Sequence, residues 1–252
     1  MSQQIAVQLV VEKRHRQPFI GGRKLYFMLH DDLRKLPHKI GRDALFKLLR
    51  DNNLLVFKRR RSYSITNSNH THMVYPNLIK GLDISQANQV FIADMTYIRC
   101  GHRFVYLSVV CDLYSRKIVG YKLLDNLTAE GPLRALKMGL SSVPLDRRKG
   151  LIHHSDRGVQ YCSIDYSKLL KNNGCIMSMS AKGNPYDNAV MERVMGILKQ
   201  EFGLNKTFEN INAVGRAVDQ AIEIYNEERP HFSLAFKTPS QVYEASCRKN
   251  AA

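Results

Sequence analysis

VFIADMTYI, residues 90–98, is an apolar, β-branched and aromatic run broken by a single charge, Asp94. The composition predicts a strand, and a carboxylate inside a strand is costly to bury without a partner. Taken alone, Asp94 fits an exposed edge or satisfaction by Thr96 as well as it fits a functional role. Downstream, FVYLSVVC (104–111) and KIVGYKL (117–123) repeat the strand composition and are separated from their neighbours by the turn-like CGHR and DLYSR. Three strands in succession predict an antiparallel meander. Helical spacing follows at Leu127–Leu140, a short strand at Gly150–His154, a helix at Ile164–Asn172 and a strand at Cys175–Met179. The predicted order is therefore β-β-β-α-β-α-β, an α/β core. Helical patterns close it at Asn188–Phe202 and Phe208–Glu227, the last stopped by Pro230.

Upstream of this core the chain changes character. Thr66–Gln89 is rich in Asn, Ser, His and Pro with little periodicity and reads as a linker. Residues 19–61 read as basic and helical: Leu25, Met28 and Leu29 share one face, and Gly41–Asp51 carries Ala44, Leu45, Leu48 and Leu49 on another apolar stripe. Two short helices followed by Lys58-Arg59-Arg60-Arg61 predict a small helix-turn-helix-like DNA-binding domain, or else a helical bundle with a solvated basic face. The expected division is a basic helical domain at 1–65, a linker at 66–89, a catalytic core at 90–228 and a tail at 229–252.

Lys and Arg number 38 against 22 Asp and Glu, a net charge of +16 that favours a polyanionic partner, nucleic acid first. Residues 1–61 hold 15 basic and 5 acidic residues, so +10 of the excess lies in the front quarter. The 44% hydrophobic content of 252 residues supports a real core. Five cysteines without a C-x-x-C pair argue against a disulfide framework or a zinc finger and suit a reducing cytosol. No apolar run approaches the roughly 18–20 residues that span a bilayer, and the first residues place their charge after the apolar stretch, unlike a secretory signal. No Walker loop, GxGxxG or GxSxG motif is present.

Two further carboxylates give Asp94 company. Asp156 follows IHHS (152–155) and opens the turn Asp156-Arg157-Gly158, at a strand's C-terminal end, where sites in mixed sheets gather; a turn-forming Asp is the plainer explanation. Glu192 borders the apolar stripe Met191, Val194, Met195, Leu198 and Phe202, with Lys199 two helical turns on along nearly the same face. A lone helical Glu is most simply a solvated one. Together, a strand carboxylate, a strand-end carboxylate and a helix carboxylate can converge on hard cations. Two Mg²⁺ or Mn²⁺ ions about 3.5–4 Å apart would then serve an in-line phosphoryl displacement. Asp112 reads as turn chemistry, and the adjacent His153 and His154 must point to opposite strand faces.

VFIADMTYI, HHSDRGVQYCS, AKGNPYDNAVMERVMGILKQEF and YNEERPHFSLAFKTPSQVY, with GGRKLYFMLHDDLRKLPHKIGRDALFKLLRDNNLL upstream, resemble the integrase-like subunit of insertion sequence 3 family transposases over nearly the whole chain. The 35 residues between Asp156 and Glu192, with Lys199 seven after the Glu, match the family's DD(35)E arrangement. The resemblance implies a ribonuclease H-like core with a mixed five-stranded sheet flanked by helices. Asp94, Asp156 and Glu192 would be its catalytic metal ligands, two Mg²⁺ or Mn²⁺ ions its cofactors, and DNA cleavage and strand transfer its activity. It also implies a mobile loop at 181–187 and a contact of Lys199 with the transposon end. Expected DNA contacts are Lys199, Lys182, Asn188, Arg42, Lys47, Arg50, Arg59, Arg60 and Arg61. The expected partners are transposon-end and target DNA, further copies of the chain, and an upstream-frame protein or fusion, since no sustained heptads occur here. The expected location is the cytoplasm, at the nucleoid of a prokaryote. One departure stands out: many members have Ser-Phe-Phe after the Glu, whereas this chain has Arg193-Val194-Met195, which spares the ligands and Lys199. The rivals are a DNA-binding regulator descended from a transposase, which needs no carboxylates, and a nuclease of the same fold that cuts without joining.

Overall fold

The computed structural model describes residues 1–56, 75–181 and 188–249. Its centre is a five-stranded mixed sheet in the order β3-β2-β1-β4-β5. β1 (Val90–Cys100), β2 (Arg103–Asp112) and β3 (Ile118–Leu124) form the expected antiparallel meander. β4 (Ile152–Ser155) and β5 (Ile176–Met179) add on parallel to β1. Parallel addition needs crossovers, supplied by α4 (Glu130–Ser141) before β4 and α5 (Ile164–Asn172) before β5. α6 (Ala189–Gln200) and α7 (Ile211–Glu227) follow. The predicted element order of the core is the observed one, and the architecture is a mixed sheet flanked by helices.

Strand alternation sorts the core into two layers. Val90, Ile92, Ile98 and Cys100 of β1 face a cluster completed by Met191, Val194, Leu198, Val218 and Tyr225 of α6 and α7. Phe91 and Ala93 face the opposite cluster with Ala135, Leu136, Tyr161, Tyr166 and Leu170. Gly120 lets α4 lie directly on β3: a Cβ there would overlap the Ala135 carbonyl oxygen and stand 2.7 Å from the Gly139 nitrogen. On the other face Asn226 of α7 ties to β3, accepting from Ile118 N–H and donating to Ile118 O, each at 2.9 Å.

The front of the chain is a separate three-helix cluster. α1 (Ser2–Arg16), α2 (Gly22–Lys35) and α3 (Arg42–Asp51) bury Ala6, Val10, Leu25, Leu29, Leu33, Leu45 and Leu49 among themselves. Sequence periodicity finds α2 and α3 but not α1, whose apolar residues run round the helix while only Ser2, Ala6 and Val10 are buried. The cluster docks on the end of α7 and the chain after it. Arg16 Nε donates to Glu228 at 2.9 Å, Phe27 stacks on Phe236 at 4.4 Å, and Phe19 N–H donates to the Glu201 carbonyl.

The last stretch is the part expected as a tail from 229. It carries α8 (Pro239–Lys249), started by a proline at a first-turn position and buried through Tyr243 and Ser246. Ser246 Oγ accepts from Ala87 N–H at 2.9 Å, and the Tyr243 hydroxyl donates to Asn88 Oδ1 at 2.8 Å. The described part of the expected linker is also held down. Leu78 N–H donates to Ser178 Oγ at 2.9 Å, and Met179 N–H donates to the Pro76 carbonyl. No helix among the described residues is long and apolar enough to cross a membrane.

Candidate active site

β1 and β4 run parallel with Ala93 opposite Ser155. One residue further along each chain stand Asp94, still within β1, and Asp156, just past the end of β4. Each carboxylate is fixed by a local amide. Asp94 Oδ1 accepts from Met95 N–H at 2.7 Å, and Asp156 Oδ1 accepts from Gly158 N–H at 2.9 Å. Gly158 suits that turn because a Cβ there would press to 3.0 Å from Asp156 Oδ1.

Glu192 lies in the first turn of α6, exposed, on a helix fixed to the sheet by Met191, Val194, Met195 and Leu198. Val194 and Met195, the departure from the commoner family residues, are both in the core. Arg193 is exposed and reaches Glu201 at 3.7 Å. Lys199 is half-buried, its Nζ 4.4 Å from the ring centroid of Tyr97, three residues after Asp94 on β1.

The electrostatics join these groups. Burial pushes the Asp94 carboxyl up from 3.8 to about 7, and the charge of Asp156 pushes the same way. The Met95 amide pulls against them, Glu192 adds a further upward push, and Lys199 a downward one. Burial lowers the Lys199 ammonium, and Asp94 opposes that fall. Asp94, Asp156, Glu192 and Lys199 are thus one interacting group. Its acidic members are all oxygen donors with excess negative charge, a set suited to hard divalent cations. Among the described residues no three His, Cys, Asp or Glu side chains are already drawn together closely enough to hold an ion.

A stability signature follows. In the metal-free protein Asp94 keeps its proton to about pH 7, whereas the unfolded chain releases it near the ordinary carboxylate value. Between those limits the folded state binds more protons, so stability falls as pH rises. The metal-free melting temperature is expected to drop between about pH 4 and pH 7 and to level off above, and Asp94→Asn to flatten that drop. An unchanged slope in the Asn variant would contradict this account of Asp94.

The other expected contact residues are dispersed. Arg42, Lys47 and Arg50 are exposed on α3 in the front helical unit, Arg42 paired with Asp43 and Lys47 with Asp51. Asn188 stands at the N-terminus of α6, its Oδ1 buried without a hydrogen-bond partner among the described residues. Lys182, Arg59, Arg60 and Arg61 lie outside the described residues. The residues set aside behave as expected. Asp112 accepts from Ser115 N–H at 2.7 Å and Asn88 N–H at 2.8 Å. His153 pairs with the Tyr166 hydroxyl and His154 with the Ser178 hydroxyl, each at 2.8 Å and on opposite faces.

Sequence reasoning passed over Glu201, Arg229 and Lys24 at the far end of α6, and Tyr161 beside the Asp156 turn. Glu201 closes α6 and receives the fully buried Arg229 through two bonds of 2.9 and 2.8 Å, with Lys24 of α2 at 3.7 Å. Tyr161, five residues after Asp156, is 2% exposed and feels both Asp94 and Asp156.

Comparison with known proteins agrees with this fold. Two integrase core domain family models match, over residues 84–185 and 173–239. A 31 kDa protein of insertion element IS600 from Shigella sonnei is 39% identical over 207 residues, 81% of this chain and 75% of that protein. The transposase InsF for insertion sequence IS3A from Escherichia coli K12 is 34% identical over 215 residues, 84% and 74% of the two chains. Among solved structures, the HTLV-2 integrase catalytic core domain in complex with magnesium superposes with a TM-score of 0.50 at 17% identity, over 63% of this chain and 97% of that one. The simian T-cell lymphotropic virus intasome superposes with a TM-score of 0.52 at 16% identity, over 88% and 74%. At such identities these two likenesses concern the fold, a ribonuclease H-like integrase core.

Proposed function

This chain belongs to the insertion sequence 3 family of transposases, built on an integrase core, and on that premise we propose that it cuts and joins DNA at transposon ends with Asp94, Asp156 and Glu192 as its catalytic carboxylates. The observation that carries the proposal is the state of Asp94. Its carboxyl is driven up to about 7 by burial and by the charges of Asp156 and Glu192, an arrangement that a purely structural strand residue would gain nothing from.

Asp94, Asp156 and Glu192 would hold two Mg²⁺ or Mn²⁺ ions, which would supply Lewis-acid activation of the attacking oxygen and stabilisation of the leaving one. The protein's own part would be to present three oxygen donors, one in β1, one just past the end of β4 and one on a core-anchored helix. Lys199, half-buried beside Asp94, offers a phosphate a positive charge next to the reacting bond. The attacking groups are water for cleavage and then a DNA 3′-hydroxyl for joining. Among the described residues the hydroxyls that stand beside a histidine, Ser178 and Ser180 on His154 and Tyr166 on His153, are all buried and out of reach of DNA, which favours phosphodiester exchange without a covalent protein intermediate.

The net charge of +16 supports binding to the DNA backbone, with Arg42, Lys47 and Arg50 of α3 and, beyond the described residues, Lys182, Arg59, Arg60 and Arg61 as contacts. Asn188 is a contact at the start of α6. Action as an assembly of several copies on DNA, with an upstream-frame partner, in the cytoplasm at the nucleoid, belongs to the same proposal. A regulator that only binds DNA would not need these three carboxylates.

The test is an incubation of the full chain, with and without its upstream partner, with labelled element ends and Mg²⁺. Joined products that disappear when a chelator is added are expected. Cutting without joining would instead establish a nuclease, and DNA binding alone a regulator.

A further inference from the structure

Three aromatic rings meet behind the Asp94–Asp156 pair. Tyr161 lies edge-on to Tyr166 at 5.4 Å between centroids and 6.5 Å from His153, while Tyr166 lies 5.3 Å from His153. Two of their polar ends satisfy each other, the Tyr166 hydroxyl and His153 Nε2 at 2.8 Å. The third does not. The Tyr161 hydroxyl is buried and has no hydrogen-bond partner among the described residues. A buried hydroxyl without a partner costs stability that a phenylalanine of the same shape would spare.

The position of that hydroxyl gives it a use. Tyr161 closes the turn that Asp156 opens, donating its backbone N–H to the Gly158 carbonyl at 3.0 Å. A point one bond out from Gly158 lies 3.0 Å from Asp156 Oδ1 and 3.6 Å from Tyr161 Cδ2, so carboxylate and ring are neighbours across that glycine. The phenol also feels Asp94 more strongly than it feels the adjoining Tyr166. Carboxylates that bind metals are themselves held by outer hydrogen-bond donors, and here one buried donor is unused on a ring that adjoins the Asp156 turn and feels both candidate ligands.

We propose that Tyr161 is a positioning residue for the Asp94–Asp156 pair, its phenol O–H donating to these carboxylates when a divalent ion draws them together. The inference rests on the reading of the carboxylates as metal ligands and adds a residue to it. In the metal-free protein the donor has nothing to bind. With the ion present it fixes the orientation of an oxygen that the metal does not use.

Mn²⁺ binding to the full chain, followed by the electron paramagnetic resonance of the free ion, separates the possibilities when combined with metal-free melting of the same proteins. Tyr161→Phe is expected to melt at or above the wild-type temperature without metal and to bind Mn²⁺ about tenfold more weakly. Wild-type affinity in Tyr161→Phe would overturn the inference. So would a lowered metal-free melting temperature accompanying the loss, because the ring would then be acting through packing. Asp94→Asn is expected to lose binding altogether. Undiminished binding in that variant would instead refute the metal-ligand reading of the carboxylates, whatever Tyr161→Phe does.

Discussion

Asp156→Asn is expected to lower strand transfer by about a thousandfold or more while leaving DNA affinity within about twofold of wild type, the rate factor corresponding to several kcal/mol of lost transition-state stabilisation. Asn keeps the shape of the side chain, and its carbonyl oxygen can still accept from Gly158 N–H, so the turn survives. What disappears is one negative charge at the point where β1 and β4 bring two carboxylates side by side. The Asp94 carboxyl, relieved of a like charge, should fall from about 7, so the metal-free variant should be no less stable than wild type near neutral pH. DNA affinity, carried by a net charge of +16 spread over the chain, should be nearly indifferent to the change. Gel-based joining assays beside binding titrations check both halves. Joining at the wild-type rate would remove Asp156 from the mechanism.

Arg229→Ala is expected to destabilise the fold by about 3 kcal/mol or more, the usual loss when one partner of a buried ion pair is removed. Arg229 is 1% exposed. Its guanidinium grips both oxygens of Glu201 and stands 3.0 Å from His231, which burial and then the Arg229 charge keep neutral, pushed down to about 2. Burial alone would raise the Glu201 carboxyl, but Arg229, then Lys24 and Arg193, outweigh it and hold it below the usual carboxylate range. Without Arg229, Glu201 keeps only Lys24 and Arg193 at 3.7 Å, and the end of α6 loosens from the end of α7. Arg229→Lys should recover little, since an ammonium cannot take the two-pronged geometry. Urea midpoints with an unchanged slope measure the loss; a shift worth under about 0.5 kcal/mol would show that Lys24 and Arg193 suffice.

Periodicity and turn residues make most of the catalytic half legible in the amino-acid sequence. The alternation of Val90–Ile98, the CGHR and DLYSR turns and the helical stripe through Met191 and Leu198 are local signals, and each element they define is present. α1 is not legible because its apolar residues form no single stripe, and α8 because Pro239-Ser-Gln-Val-Tyr reads as well for a loop. Within the site, Asp94 and Asp156 can be singled out because a charge at a strand centre or a strand end is locally anomalous. Glu192 is locally ordinary, and only its spacing from Asp156 and its resemblance to a family draw attention to it. Glu201, Arg229 and Tyr161 carry no local anomaly. Their roles arise from tertiary neighbours, a carboxylate at the end of α6 shared with Lys24 of α2 and with Arg229 just past α7, and a buried phenol on a ring beside the Asp156 turn. Lys24 is the clearest case: in sequence it belongs to a basic face, yet it is buried against Glu201, and burial draws its ammonium down to about 8.

The most direct measurement of the central claim is the anomalous scattering of Mn²⁺ in crystals of the full chain. Peaks within about 2.0–2.3 Å of oxygens from Asp94 and Asp156, with Glu192 reaching one of them, are what three converging carboxylates require. Manganese bound elsewhere, with Glu192 turned to solvent and the Asp94–Asp156 pair left bare, would contradict the account.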